Sequence, residues 1–261
     1  MSWLALRLLR PYLITAAALT AAATAYLWYA TSTVQDQLDG AGTPNCLDPN
    51  VCYPHGAAMD AVLGIELIAA FLPATLGLIL GVALFAPERE DDTIAYILTQ
   101  SVARRRWVLT KLCYAVGAGL TLSLIVAVPF RVVGTRYTVL ANDTYEMLQL
   151  LHFNSISFMA GQTAALTALG GVLGLAHGRT LRTLALTVVT GPIVVYLGGG
   201  LGVLLGAPLV SLAGGFDTTT APATDFSADI SMFDTIGYLM AAGLGLAVLA
   251  MGYLATRIRT A

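Results

Sequence analysis

Charge is scarce in this chain. Asp, Glu, Lys and Arg make up 11% of its 261 residues, against roughly 25% in an ordinary soluble domain. That is too little to cover a water-facing surface, because 57% of the residues are hydrophobic. Disorder is excluded by the same numbers, since disordered chains are polar and charge-rich. Lysine occurs once, as Lys111, and the formal net charge is -2. No basic footprint for nucleic acid is present. Three cysteines are too few for a disulfide scaffold of this length. What remains is an all-α polytopic membrane protein.

A helix needs about 20 apolar residues to cross a hydrocarbon core of roughly 30 Å. Six stretches carry almost no charge: Pro11 to Gln35, Ala61 to Pro87 with Glu66 alone, Leu112 to Phe130, Met147 to Gly178, Thr183 to Phe216 and Thr235 to Thr256. They predict spans over about 12–32, 61–86, 112–130, 151–176, 183–204 and 235–255 within one transmembrane domain, residues 1–261. The alternating pattern of an outer-membrane barrel is absent.

Basic residues set the orientation. With the N-terminus inside, Arg7, Arg10, Arg89, Arg104, Arg105, Arg106, Lys111, Arg179, Arg182, Arg257 and Arg259 are cytoplasmic. Only Arg131 and Arg136 fall outside. Both termini are therefore expected in the cytoplasm of a multi-pass protein. The first apolar stretch exceeds a signal-peptide core of about 7–15 residues and is expected to be retained as a span. Before it, Trp3, Leu4, Leu6, Leu8 and Leu9 surround Arg7 and Arg10. This pattern suits a short interfacial helix with snorkelling arginines, or a simple extension of the first span.

The first outer loop holds Cys46 and Cys52 among several prolines and glycines. Their spacing and oxidising side predict a disulfide. Two free thiols are the alternative. A metal site with His55 and Asp48 lacks a standard spacing, and no metal is expected. The fifth charge-free stretch would measure about 51 Å as one helix, longer than one crossing needs. Gly191–Pro192, Gly198–Gly200 and Gly206–Pro208 lie within it. Pro removes a helix donor and Gly loosens the backbone. A broken or re-entrant segment is therefore expected after residue 204, before the sixth span.

Residues 88–111 between the second and third spans read E-R-E-D-D-T-I-A-Y-I-L-T-Q-S-V-A-R-R-R-W-V-L-T-K. Asp91, Asp92 and Thr93 favour a helix N-terminus. Ile94, Ile97 and Leu98 follow at i, i+3 and i+4, one apolar stripe. Arg104, Arg105, Arg106 and Trp107 suit re-entry at an anionic leaflet, a basic membrane anchor. Acidic residues do little for topology. Four of them beside a short apolar helix instead suggest a docking surface for another protein.

This loop resembles that of type-2 ABC exporter permeases, which show E-R-E-x-G-T, a short helix, then S-x-x-R-x-x-W and K-L. Glu88, Arg89, Glu90, Thr93, Ser101, Arg104, Trp107, Lys111 and Leu112 match, while Asp92 stands where the family often has Gly. The resemblance implies the permease subunit of an ATP-driven bacterial exporter in the cytoplasmic membrane. It implies that Glu88, Arg89, Glu90, Asp91, Asp92, Thr93, Ile94, Ile97 and Leu98 form a cytoplasmic coupling helix seated on a separate ATPase. Two ATPase copies carrying ATP and Mg, and a second permease, identical or homologous, are implied as partners. An interfacial N-terminal helix and broken helices before the sixth span are implied as well. The chain lacks the G-x-x-x-x-G-K-[ST] phosphate loop, since Lys111 follows Thr110. No cofactor and no catalysis are expected of it. An ATPase-linked sensor or immunity protein, binding a ligand without transporting it, is the second class.

Glu66 is the acidic residue well inside a span. It reads either as part of a substrate cavity or as a solvated position near the outer end of its helix. His152 and His177 would lie about 37 Å apart along a helix, so they do not form a pair. Ser155 and Ser157 beside His152 form no nucleophile elbow.

Overall fold

The computed structural model describes residues 2–40, 57–91, 104–137, 155–212 and 226–257. They form helices, with no strand among the described residues: α1 Ser2–Gly40, α2 Ala57–Ala83, α3 Ala86–Glu90, α4 Arg104–Tyr137, α5 Ile156–His177, α6 Thr180–Leu212 and α7 Phe226–Arg257. All but α3 are long and apolar enough to cross a membrane. The candidate spans are Arg7–Gln37, Asp60–Glu90, Arg105–Arg131, Ile156–His177, Thr180–Pro208 and Thr235–Arg257.

Helix α5 is the central post. It packs against α2, α4, α6 and α7, while α1 lies on α2 and α4. Of the α5 span, 61% is buried inside the protein, against 17% for α6. Residue size explains the position. Helix α5 carries Ala164, Ala165, Ala168, Gly170, Gly171 and Gly174, all buried, and small residues let helix backbones approach in lipid. Gly77 and Gly81 of α2 meet it at the same spacing as Gly170 and Gly174. A Cβ on Gly77 would stand 2.7 Å from the Thr163 carbonyl oxygen, and one on Gly170 would stand 2.8 Å from the Gly81 carbonyl carbon. Thr163 Oγ1 also donates to the Pro73 carbonyl at 3.1 Å, a hydrogen bond between α2 and α5.

Helix α6 is built the other way round from a water-soluble helix. Its buried positions are Thr183, Thr187, Gly191, Val195, Gly199 and Gly202, one stripe at helical spacing. Its large side chains point outward, with Leu181 80% and Tyr196 78% exposed. Water would penalise that surface, whereas lipid tails do not.

Two expectations are corrected here. Residues 2–10 do not form a separate interfacial helix. They are the first turns of α1, which runs unbroken through Pro11 to Gly40. Thr15 Oγ1 donates to the Pro11 carbonyl at 3.1 Å, within the same continuous helix. Nor does α6 break after residue 204. It continues through Gly206 and Pro208 to Leu212, and α7 begins at Phe226. Of the glycines read as breakers, Gly198, Gly199 and Gly206 are contact points with α7, Gly191 meets Leu166 of α5, and a Cβ on Gly200 would meet nothing within 4 Å. A Cβ on Gly202 would stand 2.0 Å from the Leu239 carbonyl oxygen, and one on Gly243 would stand 2.1 Å from that of Gly198. Residues 213–225 lie outside the described residues.

Candidate functional site

The informative corner is where α2 ends. Pro87 has no N–H to continue the α2 ladder, and its ring disfavours helix just before it. The chain turns at Leu84–Phe85, with Leu84 N–H donating to the Gly81 carbonyl at 3.3 Å. Helix α3 then starts with Pro87 in its first turn, a position where the missing donor does no harm. Leu84, Phe85 and Ala86 are completely buried.

Three consecutive side chains of α3 fasten this corner to other helices. Glu88 is buried and pairs with Lys111 of α4 through Oε1. Lys111 Nζ also donates to the Leu84 carbonyl at 2.9 Å. It lies 5.4 Å from the centre of the Phe85 ring and 5.0 Å from that of Trp107. Those two rings pack with centroids 5.3 Å apart and tilted by 57°, so aromatic faces and a carboxylate surround the lysine. Arg89 donates through a guanidinium nitrogen to the Leu175 carbonyl, in the last turn of α5. Glu90 Oε2 accepts from the Thr180 N–H at 3.1 Å and from Thr180 Oγ1 at 2.6 Å. It thus satisfies a free amide at the start of α6, where the helix dipole favours negative charge.

The α5–α6 turn is shaped to receive Arg89. Gly178 takes a left-handed φ of 66° as the cap of α5, and its N–H donates to the Gly174 carbonyl at 3.0 Å. Glycine adopts that conformation without cost. A Cβ there would also stand 2.6 Å from Arg89 Cδ. The close approach therefore needs glycine on two counts.

The structure thus joins Glu88, Arg89 and Glu90 with Lys111, Leu175, Gly178 and Thr180. Asp91 is exposed and caps the end of α3. Asp92, Thr93, Ile94, Ile97 and Leu98 lie outside the described residues, so the helix expected there is not described. Of the residues read as a membrane anchor, Arg105 and Arg106 are exposed, while Trp107 is 8% exposed and turned onto Phe85. The sequence reading missed the pairing role of Lys111. The signal was present, since a lone lysine in so apolar a chain stands four residues after a tryptophan.

All helix ends meeting here belong to one end of the bundle. The starts of α4 and α6 and the ends of α2 and α5 are joined by the contacts just given. The end of α7 reaches the same level, because a Cβ on Gly252 would stand 3.6 Å from Leu112 Cδ2. The start of α1 follows, since Tyr26 in its later half touches Gly64 near the start of α2. Arg7, Arg10, Arg89, Arg105, Arg106, Lys111, Arg179, Arg182 and Arg257 therefore share one end, and Arg131 sits toward the other.

Glu66 lies half-buried on α2, toward the end away from Lys111. Cys46, Cys52 and His152 lie outside the described residues. His177 Nδ1 is 3.3 Å from the Leu173 carbonyl of its own helix. Ser155 and Ser157 hydroxyls are 3.0 Å apart. Among the described residues no group of His, Cys, Asp and Glu is placed to hold a metal.

A family model described as ABC-2 membrane transporter related matches residues 16–199, more than half of the chain. No curated protein matches the chain, and no solved structure matches it. The matched region begins inside α1 and ends inside α6, so it contains the whole α3 corner. With that match, and with six helices among the described residues long and apolar enough to cross a membrane, the chain belongs to the ABC-2 membrane transporter related family.

Proposed function

We propose that this chain is the permease subunit of an ATP-driven exporter and moves its substrate outward by alternating access. A separate ABC ATPase, in two copies carrying ATP and Mg, supplies the energy, and a second permease, identical or homologous, completes the pathway. The observation that carries this reading is the family match across the α3 corner. Residues 92–103 join that corner to α4, and Ile94, Ile97 and Leu98 form the apolar stripe that seats in the ATPase. Glu88, Arg89 and Glu90 act from the other side. They tie the corner to α4, α5 and α6, so a push on the connecting segment reaches several spans together.

The basic end faces the cytoplasm of a bacterial membrane on this reading, with both termini inside. Cys46 and Cys52 form a disulfide on the opposite side. Glu66 sits toward that side, where it lines the exit of the substrate cavity. Arg104, Arg105 and Arg106 hold the start of α4 at the headgroups.

The test is purification of the tagged chain from its native membrane in mild detergent. The expected result is a co-purifying subunit with a phosphate loop, and ATP hydrolysis that a candidate substrate stimulates and that drives this substrate into everted vesicles. Substrate-stimulated hydrolysis without vesicle accumulation would favour a sensor. Recovery of the chain with no ATPase at all would overturn the proposal.

A further inference from the structure

A second feature lies on the exposed flank of α4. Arg105, Arg106, Leu109, Thr110, Cys113 and Tyr114 form one wall of an open groove of about 690 Å³. Residues 105, 109 and 113, and residues 106, 110 and 114, recur at four-residue intervals and so share one helix face. The groove changes chemistry along the helix. Both guanidiniums stand at the start of the Arg105–Arg131 span, while Cys113 and Tyr114 lie about 12 Å further into it. Arg105 and Arg106 are exposed, and neither pairs with a carboxylate among the described residues. Lys111 and Arg89, at the same end, are committed to partners inside the chain. The Thr110 hydroxyl donates to the Arg106 carbonyl at 2.7 Å, which leaves charge recognition to the two arginines.

We infer that this groove holds one anionic phospholipid, its phosphate between Arg105 and Arg106 and an acyl chain along Leu109, Cys113 and Tyr114. Charge complementarity selects the headgroup, because guanidinium groups match phosphate oxygens in a planar fork. Depth excludes a water-soluble partner, because the inner part of the groove lies within an apolar span, and two guanidiniums ahead of an apolar strip match a headgroup and its acyl chain better than the apolar face of a second permease. The inference deepens the anchor reading of this segment and is independent of whether an ATPase docks nearby.

The experiment is native mass spectrometry of the full chain in detergent, titrated with phosphatidylglycerol or with phosphatidylcholine of identical acyl chains. Phosphatidylglycerol should bind preferentially. Arg105→Gln with Arg106→Gln should lower that preference by about fivefold for each arginine lost. Arg10→Gln with Arg182→Gln removes the same charge from exposed positions at the same end and should retain it. Equal binding of the two lipids would overturn the proposal, as would equal losses in the two double variants. Inorganic phosphate should neither displace the lipid nor raise the melting temperature as the lipid does; if it does both, the arginines bind a free anion and the lipid proposal fails. Because the permease is measured alone, a negative result leaves the exporter reading standing, and a positive one does not depend on it.

Discussion

Helix α6 is held by different chemistry at its start and along its length. At the start, Glu90 reaches from α3 to the Thr180 amide and hydroxyl. Further on, Gly202 lies against the backbone of Leu239 and Gly243 of α7, while Gly198 and Gly206 receive the Leu244 and Leu239 side chains. The first kind of contact has direction: a donor and an acceptor fix one geometry. The second depends on shape alone, and its energy comes from many weak contacts. The buried ion pair Glu88–Lys111 lies at the α3 corner, whereas small residues line the seams of α5 with α2 and of α6 with α7. The alternating access proposed for this chain would use both, a corner that keeps its geometry and helix seams that can shift.

The largest effect should come from breaking the corner at its buried pair. Lys111→Met leaves the Glu88 carboxylate buried without its cation, a loss of about 3–5 kcal/mol. The variant should fall sharply in membrane level and in melting temperature. Adding Glu88→Leu should recover most of that loss, because an apolar pair of similar volume is often tolerated where half a pair is not. A double variant as unstable as Lys111→Met alone would mean that the lysine acts through the Leu84 carbonyl and the rings, not through Glu88.

Next in size is the seam. Gly202→Leu forces atoms into the space of the Leu239 carbonyl, and overpacking of this kind costs about 1–3 kcal/mol. Cross-linking between cysteines introduced on α6 and α7 should weaken while α2–α5 cross-links persist. A smaller loss is expected from Glu90→Gln, which keeps an acceptor but removes the charge at the α6 start. Its effect on melting should shrink as salt is added, because Glu90 is exposed. Gly245→Ala is the control. Its Cβ would meet nothing within 4 Å, so melting should not fall.

The spans were legible because uncharged stretches of that length have few other uses. The end of α5 was legible too, since Gly178 and Arg179 close a charge-free run. The continuity of α6 was not. Glycine weakens an isolated helix in water, so Gly198–Gly200 and Gly206–Pro208 read as a break. In lipid the same residues let a neighbour approach, and their four-residue spacing was the signal that favoured a seam. The start of α1 was open for a related reason: arginines among leucines suit a surface helix and a helix end equally. The E-R-E triplet was legible as important but not as bound to three other helices. Acidic and basic letters on a loop suggest solvent, and only the distant Lys111, Leu175 and Thr180 reveal where they go.

The segment after the α3 corner is proposed to seat an ATPase that drives this permease. Ile97→Asp places a charge in the middle of the apolar stripe read from residues 94–98, where each buried aliphatic side chain contributes roughly 1.5–3 kcal/mol. ATPase co-purification with this variant, normalised to its level in the membrane, is the direct measurement. The account predicts normal membrane level with the ATPase lost. Normal level with ATPase binding and transport both retained would contradict it.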